Sequence, residues 1–318
     1  MSFSSIAKNE LCRINEEKKC CQLAELAAIT RMSGTISIKG SQGLSFKIQT
    51  ENPAIARRIF SLLKSAFGIH TEILVKKSNS LKKNNIYILV INQDMGSRDI
   101  LIKTGIFKEH PDGTLSFNNR IGNNIIKKNC CKRAYIRGAF LGGGSISNPE
   151  KTYHMEFVVN NLEQSEELMK LINSFGLTSK IIQRKSSYVV YLKEGDQIID
   201  LLNIIGAHSA LLNLENVRIY KEMRNNVNRL VNCETANLNK TVDAAVRQIE
   251  AIKYIKEKSA IKKLPQGLRE IAELRLKFPD VSLKELGEML NPPLGKSGVN
   301  HRLRKIEKIA EELKESDF

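Results

Sequence analysis

After Gly34 the chain alternates by twos. Ile36 and Ile38 fall on one side with Ser37 and Lys39 on the other, and beyond a turn at Gly40 to Gly43, Phe46 and Ile48 alternate with Lys47 and Gln49. A period of two is that of a pleated strand, so the spacing predicts a hairpin with one buried face. Asn52-Pro53 opens a helix in which Ile55, Ile59, Leu62, Leu63 and Phe67 recur at helical spacing until Gly68, and two more apolar strands lie around Ile73 to Val75 and Ile86 to Ile91. The same order then returns. Strands are expected near Ser145 and over Tyr153 to Val159, a helix through Leu168, Leu171 and Ile172 to Phe175, and strands near Ile181 and over Tyr188 to Leu192. Helical segments near Asp94 to Lys103 and Glu194 to Ile205 close the two copies.

The repetition is visible residue by residue. Cys20-Cys21-Gln22-Leu23-Ala24-Glu25-Leu26 is echoed 110 positions later by Cys130-Cys131-Lys132-Arg133-Ala134-Tyr135-Ile136, and Gly34 and Gly144 keep that offset. Each copy therefore reads as helix, two strands, helix, two strands, and a duplicated unit of this kind predicts two halves facing each other about a pseudo-twofold axis. Helices meeting at that axis need small side chains, which Ala24, Ala27 and Ala28 supply in one copy and Gly138, Ala139 and Gly142 in the other.

From Leu211 a long helical stretch carries Leu212, Val217, Ile219, Met223, Val227 and Leu230, interleaved with basic residues, and is expected to pack on the duplicated region and lead out of it. After Asn232-Cys233-Glu234-Thr235-Ala236-Asn237 a further helix runs through Val242, Val246, Ile249, Ile252 and Ile255 into the basic stretch Lys253 to Lys263, which also suits a solvated linker. The end of the chain has helix-turn-helix order. Leu268, Ile271, Leu274 and Leu276 form a helix stopped by Phe278-Pro279, and Ser282-Leu283-Lys284-Glu285 is a capping box that starts a second. Asn291-Pro292-Pro293-Leu294-Gly295 breaks it, in a turn longer than the shortest bacterial versions, and Ser297 can cap a third helix whose Val299, Leu303, Ile306 and Ala310 make a buried stripe. In the major groove that third helix would put Ser297, Asn300, His301 and Arg304 near base edges, with Lys296, Arg302 and Lys305 nearer phosphate; Ser282 joins them as a DNA-binding candidate. A plain helical hairpin fits the same pattern.

Composition narrows the partner. Fifty Lys and Arg against thirty-four Asp and Glu give a formal charge of +16 over 318 residues, which favours a polyanion, since cations beside phosphates release condensed counterions. No apolar run approaches the roughly 18 residues of a membrane span, and the start lacks a signal-peptide core. Six cysteines, four of them in vicinal pairs, suit a reducing compartment, so a cytoplasmic location is expected, at the nucleoid if the polyanion is DNA; the duplicated order of helices and hairpins makes the fold class α+β. Its domains are expected at residues 1–105, 106–215, 216–262 (a helical linker) and 263–318.

The paired helix ends resemble degenerate LAGLIDADG motifs of homing endonucleases, with Leu26 to Gly34 and Ile136 to Gly144 over the nine positions. In that family the eighth position holds a metal-binding acid; here it is Ser33 and Gly143, and no Asp or Glu lies between Ala27 and Ser45 or between Lys132 and Pro149. Metal-assisted phosphodiester cleavage needs such carboxylates, so no catalytic residue is assigned and the chain is expected not to be an enzyme. The degenerate repeats, with Asn232 to Asn237, Ser282-Leu283-Lys284-Glu285-Leu286-Gly287 and Lys296-Ser297-Gly298-Val299-Asn300-His301-Arg302-Leu303, resemble the WhiA family over nearly the whole chain. The resemblance implies a bacterial transcriptional regulator of sporulation or of cell division and chromosome segregation. It reads double-stranded DNA through its helix-turn-helix and keeps the nuclease-like domain as a scaffold or protein-partner surface; the Lys-, Asn- and Ile-rich composition points to the division group. A divergent active nuclease and an RNA-binding maturase-like protein, using Lys39, Lys47, Lys76, Lys77, Lys82 and Lys83, are the alternatives.

No cofactor, metal, membrane or small-molecule substrate is expected. Gly295-Lys296-Ser297 resembles the end of a P-loop, but the earlier glycine is replaced by Leu290. Cys20, Cys21, Cys130 and Cys131 begin helices that should lie side by side and could converge, yet vicinal pairs lack the two-residue spacer of zinc knuckles, and they are read as small buried helix residues.

Overall fold

The computed structural model of the chain describes residues 2–39, 43–77, 85–258 and 261–316. They form two compact units, residues 1–221 and 222–318. The first opens with a helix that the sequence pattern did not announce, α1 (Phe3–Leu11), whose Phe3, Ala7 and Leu11 are buried. The expected first copy follows as α2 (Lys19–Ser33), β1 (Gly34–Lys39), β2 (Gly43–Thr50), α3 (Pro53–Phe67), β3 (Ile73–Lys77) and β4 (Asn85–Ile91), closed by α4 (Ser97–Lys103). A small hairpin, β5 (Phe107–Glu109) and β6 (Leu115–Phe117), lies between the copies. The second copy is α5 (Asn129–Gly143), β7 (Gly144–Ile146), β8 (Met155–Val159), α6 (Leu162–Asn173), β9 (Lys180–Arg184) and β10 (Ser187–Leu192), closed by α7 (Gly195–Ile205).

The two sheets have the same antiparallel topology, β1-β2-β4-β3 and β7-β8-β10-β9. In each, the strand that leaves the first helix sits at an edge. That position explains a departure from the expected hairpin: Leu44, Phe46 and Ile48 of β2 are buried, whereas Ile38 near the end of edge strand β1 is 75% exposed. The turn foreseen at Gly40 lies outside the described residues. Helix α3 begins as its Asn-Pro pair dictates, with the Asn52 side chain accepting from the Ala54 amide and Pro53 in the first turn, and ends on Gly68 with φ +73°, a left-handed conformation that glycine adopts without strain. One continuous core joins both copies through α2 and α5.

Helix α8 (His208–Glu257) begins in the first unit and ends in the second. Its start is held in the first unit by Ala210 and Leu214, both buried, and by Glu10 of α1, whose carboxylate accepts from the Ser209 and Ala210 amides at 2.6 and 3.0 Å. Two expectations are corrected here. Residues 232–237 do not separate two helices: between His208 and Glu257 there is neither glycine nor proline, so nothing in the backbone chemistry stops the helix. Within the first unit Leu212 and Ile219 do not pack on the duplicated region either, and they are more than half exposed, as are Met223, Val227 and Leu230 of the second unit.

The second unit adds a short 3-10 turn (Ile261–Lys263), α9 (Gln266–Lys277), α10 (Leu283–Glu288) and α11 (Lys296–Ser316). Its core is separate, built from Ile252 and Ile255 of α8, Leu268 and Ile271 of α9, Leu286 and Leu290, and Val299, Leu303 and Ile306 of α11.

Candidate nucleic-acid interface

Helix α10 starts on the capping box read from the sequence. The Ser282 side chain accepts from the Glu285 amide at 3.3 Å, and the Glu285 carboxylate accepts from the Ser282 amide at 3.0 Å. Hydrogen bonds from Ser282 hold the Glu285 carboxyl below the usual carboxylate range. The turn that follows returns the chain tightly, with the Leu294 amide donating to the Gly287 carbonyl at 2.9 Å. A Cβ on Gly287 would stand 1.9 Å from the Leu294 carbonyl oxygen and 3.1 Å from Val299, so only glycine lets the turn and α11 come this close. In the connection from α9 to α10, Arg275 is buried and satisfied, its Nε donating to Gln248 of α8 at 3.0 Å and its Nη1 to the carbonyls of Val281 and Pro279 at 2.7 and 3.3 Å. Desolvation lowers the pKa of this guanidinium.

At about 100° per residue, Val299, Leu303, Ile306 and Ala310 of α11 make one stripe, and Ser297, His301, Arg304 and Lys308 make another roughly opposite it. The first is buried and the second exposed. Of the candidate residues on this helix, Lys296, Ser297, His301, Arg304 and Lys305 are exposed, and Asn300 is half-buried at the edge of the stripe. Two placements differ from the sequence reading. Ser297 is not a cap, because α11 already begins at Lys296; Ser297 lies in its first turn. Arg302 is half-buried and turns inward, its Nη1 donating to the Gly267 carbonyl at 3.1 Å, so part of its donor capacity joins α11 to α9. Ser282 is at the other end of α10 from the turn, engaged in its cap.

The helix pair of the first unit packs as its small residues require. A Cβ on Gly138 would lie 2.3 Å from the Glu25 carbonyl oxygen, and one on Gly142 2.9 Å from the Met32 Cβ. At the eighth motif positions, the Ser33 hydroxyl donates to the Ile29 carbonyl at 2.9 Å. A Cβ on Gly143 would meet the Met32 Cε at 2.6 Å and the Val158 carbonyl oxygen at 3.0 Å. Alternation and motif matching missed the polar centre of this interface. Fully buried Glu25 of α2 takes Arg58 of α3 through Nε and Nη2 at 2.7 and 2.9 Å, and Arg137 of α5 through Nε at 2.9 Å; Arg137 also reaches Glu16 at 3.0 Å. A lone acid immediately before the first motif, and an arginine inside the second, were its only signals in the sequence. Lys47, Lys76 and Lys77 of the RNA alternative lie on β2 and β3, the last two exposed; Lys82, Lys83 and the Lys39 side chain lie outside the described residues. Among the described residues, no helix is long and apolar enough to cross a membrane.

Both units have counterparts among known proteins. Residues 19–107 match the family model of the WhiA N-terminal LAGLIDADG-like domain, residues 132–224 that of the WhiA LAGLIDADG-like domain, and residues 227–310 that of the WhiA C-terminal HTH domain. The chain is 65% identical over 316 residues to the "Probable cell division protein WhiA" of Clostridium beijerinckii, covering 99% of this chain and 100% of the relative. To the protein of that name from Alkaliphilus metalliredigens it is 60% identical over 311 residues, 98% of each. The crystal structure of full-length WhiA from Thermatoga maritima is similar with a TM-score of 0.61 at 27% identity, covering 98% of this chain and 99% of that one.

Proposed function

Because the chain belongs to the WhiA family, we propose that it is a non-enzymatic transcriptional regulator of cell division that binds duplex DNA through α11. The observation that carries this reading is the division of α11 into a buried apolar stripe and, opposite it, an exposed stripe of Ser297, His301, Arg304 and Lys308 flanked by Asn300 and Lys305. A helix so divided is anchored on one side and free to enter a major groove on the other. Arg304, His301, Ser297 and Asn300 then face base edges, and Lys296 and Lys305 face phosphates. Ser282 acts through its cap, and Arg302 acts chiefly by fixing α11 on α9.

The first unit serves as scaffold and as the surface for a protein partner, and the chain works at the nucleoid in the cytoplasm. It does not cut DNA. An aspartate at 143 would have to displace Met32 and approach the Val158 carbonyl, and a serine at 33 already spends its proton on Ile29. The test is fluorescence anisotropy with DNA selected from the genome by the full chain. Arg304→Ala and Asn300→Ala should each weaken specific binding by about 1–3 kcal/mol, roughly 5- to 150-fold, with non-specific binding less affected. Unchanged specific affinity in both variants would remove α11 from recognition, and specific cleavage with magnesium or manganese would overturn the non-enzymatic reading.

A further inference from the structure

The N-termini of α2 and α5 bring the two vicinal cysteine pairs together. Each pair occupies the second and third residues of its helix, and the Sγ atoms of Cys20, Cys21, Cys130 and Cys131 all lie within 4.8 Å of one another. We propose that these four thiols form a structural site for a single zinc ion that clamps the two copies at the head of the helix pair. The missing spacer argues against a zinc knuckle, in which one loop folds around the ion. It does not argue against a site to which each of two facing helices contributes one pair.

The dimensions select the ion. A tetrahedral zinc tetrathiolate with Zn–S bonds of about 2.3 Å has its sulfurs about 3.8 Å apart, so the four thiols need to close by no more than about 1 Å. Rotation about the cysteine side-chain bonds is sufficient for that. An iron–sulfur cluster interposes inorganic sulfide and spreads its thiolates wider than this set. Soft thiolate donors exclude magnesium and calcium, and a closed set of four sulfurs is the structural form of zinc site rather than the catalytic form, which keeps an open position.

The surroundings suit the charge. Four thiolates around a dication carry a net charge of −2, and here they sit in the first turns of two helices, where the macrodipole favours anions. Lys18 and Lys19 flank one pair, and Lys127, Lys128, Lys132 and Arg133 the other. Access and enclosure are divided between the members of each pair. Cys21 and Cys131 are buried and form the floor, while Cys20 is exposed and Cys130 half-exposed, which leaves an entry path. That division also corrects the sequence reading of all four as buried helix residues.

The full chain, reduced and freed of metal, is titrated with cobalt(II), which reports thiolate ligation directly. The expected result is a sulfur-to-cobalt charge-transfer band and intense tetrahedral d–d bands that saturate at about one equivalent, disappear on adding zinc, and are lost in Cys20→Ser/Cys130→Ser. That variant keeps the buried floor, and its circular dichroism should match the parent; if it fails to fold, the parent spectrum and stoichiometry decide alone. Protein isolated without chelator should carry about one zinc per chain. Absence of the charge-transfer band in the reduced parent overturns the site, as does a spectrum unchanged in the variant. A disulfide joining the pairs, with no metal uptake after reduction, would overturn it in favour of a redox link.

Discussion

Glu25 is an acid at the centre of the first unit's helix packing. Its carboxylate is fully buried and holds guanidinium groups from both copies, Arg58 and Arg137, which in turn reach the Ile14 carbonyl at 2.5 Å and the Ile205 carbonyl at 3.4 Å. Removing the acid leaves buried Arg58 without its carboxylate partner and Arg137 with Glu16 alone, so Glu25→Ala should cost about 3–5 kcal/mol, read as a lower urea midpoint. Glu25→Gln keeps a hydrogen-bond acceptor and should cost less. Lys8 of α1 presents the opposite situation. It donates to the Leu141 carbonyl at 3.3 Å and sits over the Phe140 ring, with no carboxylate among these partners, and burial lowers its pKa from 10.5 to about 8. Between those values the unfolded chain holds the proton and the folded chain does not, so the Lys8 contribution makes stability rise as pH goes from 8 to 10.5. Lys8→Met should abolish that rise and stabilise the protein at pH 7. A shift of this size sets a ceiling of about 3 kcal/mol, and partial solvent access reduces it. Thermal melts of both proteins across that pH range test the sign.

At the scale of elements, the α2–α5 pair was the most legible feature, because close helix approach has a sequence cost that only Ala and Gly meet. Gly138→Ala places a Cβ against the Glu25 backbone and should cost about 1–3 kcal/mol, whereas Gly295→Ala, where a Cβ would meet nothing within 4 Å, should be near neutral; chemical denaturation compares the two. The strands of both sheets were readable for a similar reason, since period two survives wherever one face is buried. What escaped reading lacked such a period. Strands β5 and β6 have three residues each, too few to alternate, and α1 presents only Phe3, Ala7 and Leu11. The continuity of α8 was hidden by Asn232 and Asn237, poor helix formers that suggested a break although neither glycine nor proline was there to impose one. Glu25, Arg58 and Arg137 were invisible as a group because they meet across three helices. The convergence of the four cysteines follows from two side-by-side helices that each begin on a vicinal pair, but sequence spacing alone does not give the distances among their thiols.

For the whole molecule, the question is where DNA affinity resides in a chain whose charge of +16 is spread along its length. Charge alone predicts sequence-independent binding that falls steeply with salt, by a slope of about 0.9 per phosphate neutralised. Recognition requires in addition a rigid presenting element, and α11, anchored through Val299, Leu303 and Ile306 and joined by Arg302 to Gly267, is one. The two contributions separate by mutation. Lys305→Ala removes a phosphate contact and should weaken binding to every sequence alike, lowering the salt slope by about 1, while Arg304→Ala should relax preference at one base position. They also separate by division of the chain. Residues 1–221 form a unit with their own core, so that fragment should fold, yet without α11 it should retain only weak, salt-sensitive binding. If its affinity for a selected site at 150 mM salt equalled that of the full chain, recognition would belong to the duplicated sheets, and the exposed stripe of α11 would need another ligand.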